Sequence, residues 1–430
     1  MAKLGSLCLE LVRHILSFLQ PIQSAETEAD VRKDRAKELS RQRANHERRL
    51  ALHALTLTTL ALNEICNPFL YSAIILTMSL PGVGSLLDLR RTFSTRPALA
   101  GYVKYVENRT YDCWGRSLRP ALRSAWGYQT VITYFDDLGD LLTLCPNIAH
   151  ANLVSLEDSN LSLWVNVIGG QAPYGVPRRR GLQQLTSLCV QVNTSLPFGP
   201  INWTPDFELI CSALSRMPSL NTLRTSFVAD FNSHFPTNFG YLTTIHLNDT
   251  FMTLAQLCDV VETCLVLKHF SCSWQHYQDH TFDARKLLKS LRYHEGCLES
   301  FEIAHPYRGG IPVRPNIPIG GFGDFTSLKT LKIDHVTLLG PEDAEEEETM
   351  PISELLPPSL ENLHLGFQAP FDWDNDHVAH CPMLWDLVKD DQSLPDLCEV
   401  TVTAPMGAAA TFLQAEFAQQ GVNFRVLHVN

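Results

Sequence analysis

The sequence predicts an α/β fold, in which an irregular solenoid of strand–helix repeats over residues 145–430 follows a small helical module over residues 1–80. Two observations predict it. A short motif of apolar residues recurs in order along the C-terminal two thirds of the chain, and segments with helical spacing lie between its copies. Alternating strands and helices of this kind form a parallel sheet with helices packed against it.

The recurring motif is LxxLxL, with Ile, Val, Phe or a small residue allowed at each leucine position. Its last three residues alternate apolar and polar side chains, as a strand with one buried face requires. Successive copies begin 22 to 37 residues apart, which indicates leucine-rich-type repeats with insertions of variable length. The copies are Ile148/Ala151/Leu153, Leu185/Leu188/Val190, Leu220/Leu223/Thr225, Leu242/Ile245/Leu247, Leu267/Phe270/Cys272, Leu298/Phe301/Ile303, Leu328/Leu331/Ile333, Leu360/Leu363/Leu365, Leu397/Val400/Val402 and Phe424/Leu427/Val429.

The segments between these strands have the apolar spacing of amphipathic helices. In Asp206–Met217, for example, Phe207, Ile210 and Leu214 fall on one helical face. Stacked in a solenoid, such units cover one another's apolar faces. A doubly wound α/β domain would alternate in the same way, but its nucleotide-binding form needs a glycine turn after a strand, and the sequence has none. The other helical segments are Leu254–Leu265, Ala284–His294, His377–Val388 and Ala408–Gln419.

Composition narrows the functional classes. The formal net charge of −12 over 430 residues argues against a general nucleic-acid binder, which needs cationic side chains to displace counterions. The twelve cysteines are scattered without a CxxC pair, as is usual for reduced thiols inside a cell. No window is apolar enough for a membrane span, and charged residues interrupt the apolar N-terminus. We therefore expect a cytoplasmic or nuclear protein.

The first 80 residues differ from the repeats. Leu7, Leu11, Ile15 and Leu19 form one helical stripe. The charge-rich run Ser24–Arg49 follows and predicts a solvated helix or a mobile insertion. A second apolar stretch then predicts another helix, which we expect Pro68 to end before a short extended segment.

The N-terminal segment resembles the F-box family. The run Leu7-Cys8-Leu9-Glu10-Leu11-Val12-Arg13-His14-Ile15-Leu16-Ser17-Phe18-Leu19 is similar to the first helix of an F-box. Leu52–Tyr71 is similar to the later part of an F-box. Residues Leu89–Ala100, ending in Arg96-Pro97-Ala98-Leu99-Ala100, are similar to the sequence that follows the F-box in F-box proteins with repeat domains. Two features depart from the family: Cys8 replaces a proline, and a charged insertion at about residues 22–50 splits the module. Loop-closure cost grows only slowly with length, so such an insertion is tolerable.

The resemblance implies a function. F-box proteins bind a Skp-type adaptor, and through it a cullin–RING ubiquitin ligase, while their repeats hold a protein substrate. The resemblance thus implies a substrate-recognition subunit with residues 81–144 as linker and N-terminal capping region. The alternative is a leucine-rich-repeat interaction scaffold without a ligase connection, whose N-terminal helices only cap the repeats. The implied adaptor-binding residues are Leu7, Glu10, Leu11, Ile15, Leu16, Leu19, Pro68 and Leu70.

Substrate contacts would most simply come from the outward-facing positions of the repeat strands. This row of side chains is polar and mixed in charge, a composition that fits an idle solvated surface equally well. The substrate-binding candidates are Arg224, His246, His269, Glu302, Lys332, His364 and Glu399.

No catalytic, cofactor or metal site is predicted. Cys272, His276 and His280 have a spacing that can grip zinc, but no second half of a zinc motif lies nearby. The sequence carries no GxSxG elbow, no GxxxxGK[ST] loop and no GxGxxG turn after a strand. We therefore expect a binding protein, not an enzyme.

Overall fold

The chain forms two compact units, residues 1–228 and 229–430. The computed structural model describes residues 8–24, 26, 31, 34–109, 125–156, 182–193, 214, 217–226, 239–274, 282–304, 307–308, 311–312, 315–340, 355–367, 382–389, 393–405 and 411–429.

The first unit places helices around a run of parallel strands. Its strands follow one another in chain order, each parallel to the next. The helices are α1 (Leu9–Ser17), α2 (Arg35–Thr56), α3 (Leu60–Leu70), α4 (Leu80–Thr95), α5 (Pro97–Ala100) and α6 (Ala125–Leu144). The strands are β1 (Ala73–Thr77), β2 (Tyr105–Arg109), β3 (His150–Leu156), β4 (Ser187–Asn193) and β5 (Thr222–Ser226).

The second unit repeats the same pattern with seven parallel strands in its described part. These seven strands follow one another in chain order, each parallel to the next. The helices are α7 (Leu254–Glu262), α8 (Ala284–Leu291, continued by a 3-10 turn at Arg292–His294), α9 (His335–Leu339), α10 (Pro382–Lys389) and α11 (Thr411–Gln419). The parallel strands are β6 (Thr244–Thr250), β7 (His269–Trp274), β9 (Ser300–Ile303), β13 (Thr330–Asp334), β14 (Asn362–Gly366), β15 (Glu399–Pro405) and β16 (Asn423–Val429). The short strands are β8 (Phe282–Asp283), β10 (Tyr307–Arg308), β11 (Ile311–Pro312) and β12 (Pro315–Ile317).

The predicted α/β class with parallel strands is confirmed. In β13 the motif residues Leu331 and Ile333 are buried while Lys332 between them is exposed, as the alternation predicts. The motif residues of β13 and β14 pair in register: Leu331 pairs with Leu363, and Ile333 pairs with Leu365. The curvature of a solenoid stays a prediction.

The last copy of the motif was placed in the wrong frame. Phe424 pairs with Val400, so it occupies the second motif position, not the first. Phe424 is accordingly buried, whereas Leu427 is 49% exposed. Because β16 contains apolar residues at both spacings, the sequence pattern could not choose between the two frames.

Parallel strands also begin earlier than residue 145, where the repeats were predicted to begin. Ala73 of β1 pairs with Tyr105 of β2, which pairs with His150 of β3. β1 is the short extended segment expected after Pro68. The helix α3 nevertheless runs two residues past Pro68, and the expectation that this proline ends it was wrong.

The helices predicted between the repeat strands are present where the chain is described. Leu254–Glu262 is α7 and begins with a capping box, in which Thr253 and Gln256 satisfy each other's backbone N–H groups. The prediction for Ala284–His294 corresponds to α8 with its 3-10 turn. α10 and α11 cover the described parts of His377–Val388 and Ala408–Gln419, while most of Asp206–Met217 lies outside the described residues.

Candidate binding surfaces

Helices α1, α2 and α3 form a small module with its own apolar core. Val12 and Leu16 of α1 meet Leu52 of α2 and Cys66 of α3, and all four side chains are buried. Thr59 caps α3 by accepting a hydrogen bond from the N–H of Leu62 at 3.1 Å. The charge-rich run Ser24–Arg49 thus supplies the first part of α2, one of the three helices of this module.

The module leaves apolar side chains on its surface. Leu11 and Ile15 of α1, and Phe18 directly after it, follow helical spacing, and all three are exposed, Phe18 to 66%. At the connection between α2 and α3, Leu57 and Leu60 are exposed to 73% and 87%. The described surface of the module therefore carries large apolar side chains at neighbouring positions.

The structure sorts the predicted adaptor-binding residues into three groups. Glu10, Leu11 and Ile15 are exposed on α1. Leu19, Pro68 and Leu70 are half-buried, with the two leucines packed against the module core. Leu16 is completely buried in that core, so its side chain holds the module together and cannot reach a partner. Leu7 lies outside the described residues.

The N-terminal half of α2 carries a buried ionic cluster that sequence analysis missed. Glu38 is buried and accepts hydrogen bonds from Arg41 at 2.7 and 2.8 Å. Arg41 also donates hydrogen bonds to Glu107 of β2. The Glu107 carboxylate accepts a further hydrogen bond from Arg109 Nε at 2.8 Å. Two carboxylates and two guanidinium groups thus balance one another, which is the condition for burying charges.

The pKa of Glu107 reflects this balance. Burial alone would raise it, but the charges of Arg109 and Arg41 outweigh burial and hold the pKa of Glu107 below its usual value. Burial and the nearby Glu107 charge raise the pKa of Tyr105, whose hydroxyl donates to Glu107 at 2.6 Å. Both groups therefore keep their ordinary neutral-pH forms, an ionised carboxylate and a protonated phenol.

The segment before α2 is fixed to the same strand face. The carbonyl oxygen of Ser24 accepts a hydrogen bond from Asn152 of β3 at 2.9 Å, and its hydroxyl accepts one from Arg109 at 3.1 Å. Asn45 of α2 holds the backbone of Ile22 at both its N–H and its carbonyl, at 2.7 and 3.0 Å. The charged insertion is therefore not merely solvated: part of it covers the polar face of β2 and β3.

The predicted substrate-binding residues of the second unit fall into two rows. His246, Glu302, Lys332 and His364 lie in one row, with Ser271 between the first two. The second row contains His269 and Glu399, two residues earlier in their strands. Arg224 lies in the first unit on β5, half-buried and paired in register with Cys189.

Charges in these rows are largely paired with one another. Glu302 forms an ion pair with Lys332, and Glu399 forms one with Arg425 at 3.6 Å. Burial and the charge of Lys332 lower the pKa of His364, whose ring lies within hydrogen-bonding distance of the Thr403 hydroxyl at 2.6 Å. Each exposed ion pair contributes only about 0–1 kcal/mol to stability, so a partner that replaced one of them would lose little free energy.

A groove along β1 is a further site that sequence analysis missed. Its volume is about 400 Å³, within the range of ligand pockets. It is lined by the whole of β1, by Gln42, His46, Arg49 and His53 of α2, and by the first turns of α4. We call it the β1 groove. No sequence motif marks it, because its walls come from three segments.

Neither a metal centre nor a membrane span is found in the described part of the chain. No group of three or more His, Cys, Asp or Glu residues there could hold a metal ion, and His276 and His280 lie outside it. None of the described helices combines the length and the apolar character needed to cross a bilayer.

Comparison with known proteins adds no relative. No protein-family model matches the sequence, and no curated protein matches it.

Proposed function

We propose that this chain is the substrate-recognition subunit of a Skp–cullin–F-box ubiquitin ligase. The observation that carries the proposal is the apolar face of α1. The core of the helical module is complete without Leu11, Ile15 and Phe18, which remain exposed. Together with the F-box resemblance of the same helix, this favours a Skp-type adaptor as the partner that covers them.

Burial of this face would drive the association. Each fully buried leucine, isoleucine or phenylalanine side chain contributes roughly 1.5–3 kcal/mol. Glu10 and Arg13, also exposed on α1, would lie in the polar rim that surrounds such apolar contacts. The chain itself would carry out no chemistry. It would raise the concentration of its substrate near the ligase.

The substrate side of the proposal rests on the repeat-like strands, which in this proposal form a leucine-rich-repeat-like solenoid. Their outward side chains, among them His246, His269 and His364, are half-buried and polar. In this proposal, a protein substrate forms hydrogen bonds with these polar side chains, which include both acidic and basic groups.

Adaptor capture tests the proposal. The purified full-length chain is mixed with a tagged Skp-type adaptor, and the bound fraction is compared with that of Leu11→Asp/Ile15→Asp. We expect capture of the unmutated chain and its loss in the double variant. Phe412→Asp is the matched control, since Phe412 is also exposed but lies on α11 of the second unit. Absence of capture by the folded, unmutated chain would contradict the proposal.

The alternative is a leucine-rich-repeat interaction scaffold without a ligase connection, and one observation favours it. The buried cluster of Glu38, Arg41, Glu107 and Arg109 ties α2 to β2. Helices that are joined to the strands in this way could serve only as a cap. Deleting residues 1–80 cannot separate the two functions, because it removes β1 and leaves Glu107 and Arg109 without Arg41 and Glu38. Adaptor capture does separate them.

A further inference from the structure

β1 is an edge strand whose outer side is unpaired in the described part of the chain. Its even-numbered residues face β2: Ser72 O accepts from Tyr105 N at 3.2 Å, and Met78 N donates to Arg109 O at 2.7 Å. Backbone groups alternate in direction along a strand, so those of Ala73, Ile75 and Thr77 face outward. Of these, only Thr77 O has a backbone partner among the described residues, the N–H of Ser79 at 2.8 Å.

The residues that carry these outward groups, Ala73, Ile75 and Thr77, all line the β1 groove. The N–H and carbonyl of both Ala73 and Ile75, and the N–H of Thr77, therefore form a row of alternating donors and acceptors at strand spacing. Such a row is complementary to the backbone of another extended chain. A compact small molecule would satisfy only one or two of these groups.

A buried side-chain acceptor lies in the same groove. Gln42 is 5% exposed, and its Nε2 donates to Glu38 at 2.8 Å. Its Oε1 is buried and has no hydrogen-bond partner among the residues that the structure describes. A buried carbonyl without a donor costs about 1–3 kcal/mol, so a ligand that supplies an N–H group would be favoured here.

The charge of the groove selects the ligand further. Arg49 of α2, which carries a guanidinium charge, lines it beside His46 and His53, although the whole chain has a formal charge of −12. None of the described residues that line the groove is Asp or Glu. Arg49 is exposed and has no ion-pair partner among the described residues. The remaining lining includes apolar side chains such as Leu70 and Leu89.

We propose that the β1 groove binds an extended acidic peptide segment of a protein partner, which adds to the edge of β1 as a further strand. Successive side chains of a strand point to opposite faces. Acidic residues at every second position would meet α2, and apolar residues between them would meet the rest of the groove. The proposal does not depend on adaptor binding, which involves the exposed face of α1.

A labelled peptide as long as β1 tests the proposal. Binding of fluorescein-Val-Glu-Val-Glu-Val to the full-length chain is measured by fluorescence anisotropy. Arg49→Glu should weaken binding about tenfold or more and should strengthen binding of the matching Val-Lys-Val-Lys-Val peptide, because the rim charge is reversed. Arg91→Glu is the matched control: Arg91 is exposed on α4 and does not line the groove, so binding should not change.

Two further measurements separate strand addition from other binding. N-methylation of alternate peptide bonds removes backbone donors and should weaken binding at least about fivefold, the effect of losing one hydrogen bond of about 1 kcal/mol. Gln42→Met removes the buried acceptor and should also weaken it. The proposal is overturned if the folded chain does not bind the acidic peptide, if N-methylation has no effect, or if succinate alone binds with the same dependence on Arg49.

Discussion

Arg41 on α2 and Glu107 on β2 form a two-point ion pair inside the first unit, in which both Nη atoms of Arg41 donate to the two carboxylate oxygens of Glu107. The two residues are 66 positions apart in the sequence. Their contact turns a charge-rich segment into a structural part of the sheet. It also positions the α2 residues that line the β1 groove.

Removal of the Glu107 charge should destabilise the chain strongly. Glu107→Gln leaves Arg41 and Arg109 buried without their shared carboxylate, and breaking a buried pair costs about 3–5 kcal/mol. The free energy of unfolding, measured by urea denaturation, should fall by that amount. The matched control is Glu302→Gln, whose ion pair with Lys332 is exposed and should contribute less than about 1 kcal/mol. Equal effects of the two changes would show that the cluster around Glu107 is not a stabilising element.

His294 should make the second unit sensitive to mild acid. Its Nδ1 accepts from the N–H of Leu267 at 3.4 Å while Nε2 faces the carbonyl of Val261 at 3.1 Å, which fits a neutral ring with its proton on Nε2. Burial lowers the pKa of His294, with the bond to Val261 opposing it. The unfolded state then takes up a proton at a higher pH than the folded state. The contribution to stability is full above about pH 6.5 and is lost as the pH falls through the folded pKa.

The measurement is the free energy of unfolding between pH 7.5 and 5, compared with that of His294→Gln. The variant should be less stable at neutral pH and should lose less stability on acidification. Parallel pH profiles for the two proteins would rule out a neutral, buried His294.

Two glycines of α4 should respond in opposite directions to alanine. A Cβ atom at Gly82 would lie 1.8 Å from the carbonyl oxygen of Thr77, whereas one at Gly84 would meet nothing within 4 Å. Gly82→Ala should cost about 1–3 kcal/mol or more, since a backbone must move. Gly84→Ala should stabilise the helix by up to about 1 kcal/mol. Thermal melting of both variants checks this; a gain of stability in Gly82→Ala would contradict the close approach.

The frame of β16 can be checked by two alanine substitutions. Phe424 is buried and stacks on Phe417 of α11 with ring centroids 5.0 Å apart, so Phe424→Ala should cost about 3–5 kcal/mol. Leu427 is half exposed, and Leu427→Ala should change stability by only about 0.5 kcal/mol. The opposite ranking, measured by denaturant unfolding, would restore the frame that the sequence pattern suggested.

The sequence by itself determined the α/β class and most of the strands. The motif Leu328/Leu331/Ile333 predicted β13 because alternation of apolar side chains is a local property that each strand carries in its own residues. The same holds for α7 and α8, whose apolar spacing and capping residues are contiguous in the chain. Where apolar residues occur at two spacings, as in β16, local pattern did not decide the frame.

Only the tertiary structure decided what the charge-rich run does. Glu38, Arg41 and Gln42 look like a solvated helical face, since their sequence does not name the partners that make burial possible. Those partners, Glu107 and Arg109, lie on a strand far along the chain. The β1 groove likewise exists only where α2, β1 and α4 meet. Compensation of buried charge and closure of a groove depend on distant segments coming together, and hydrophobic periodicity carries no record of that.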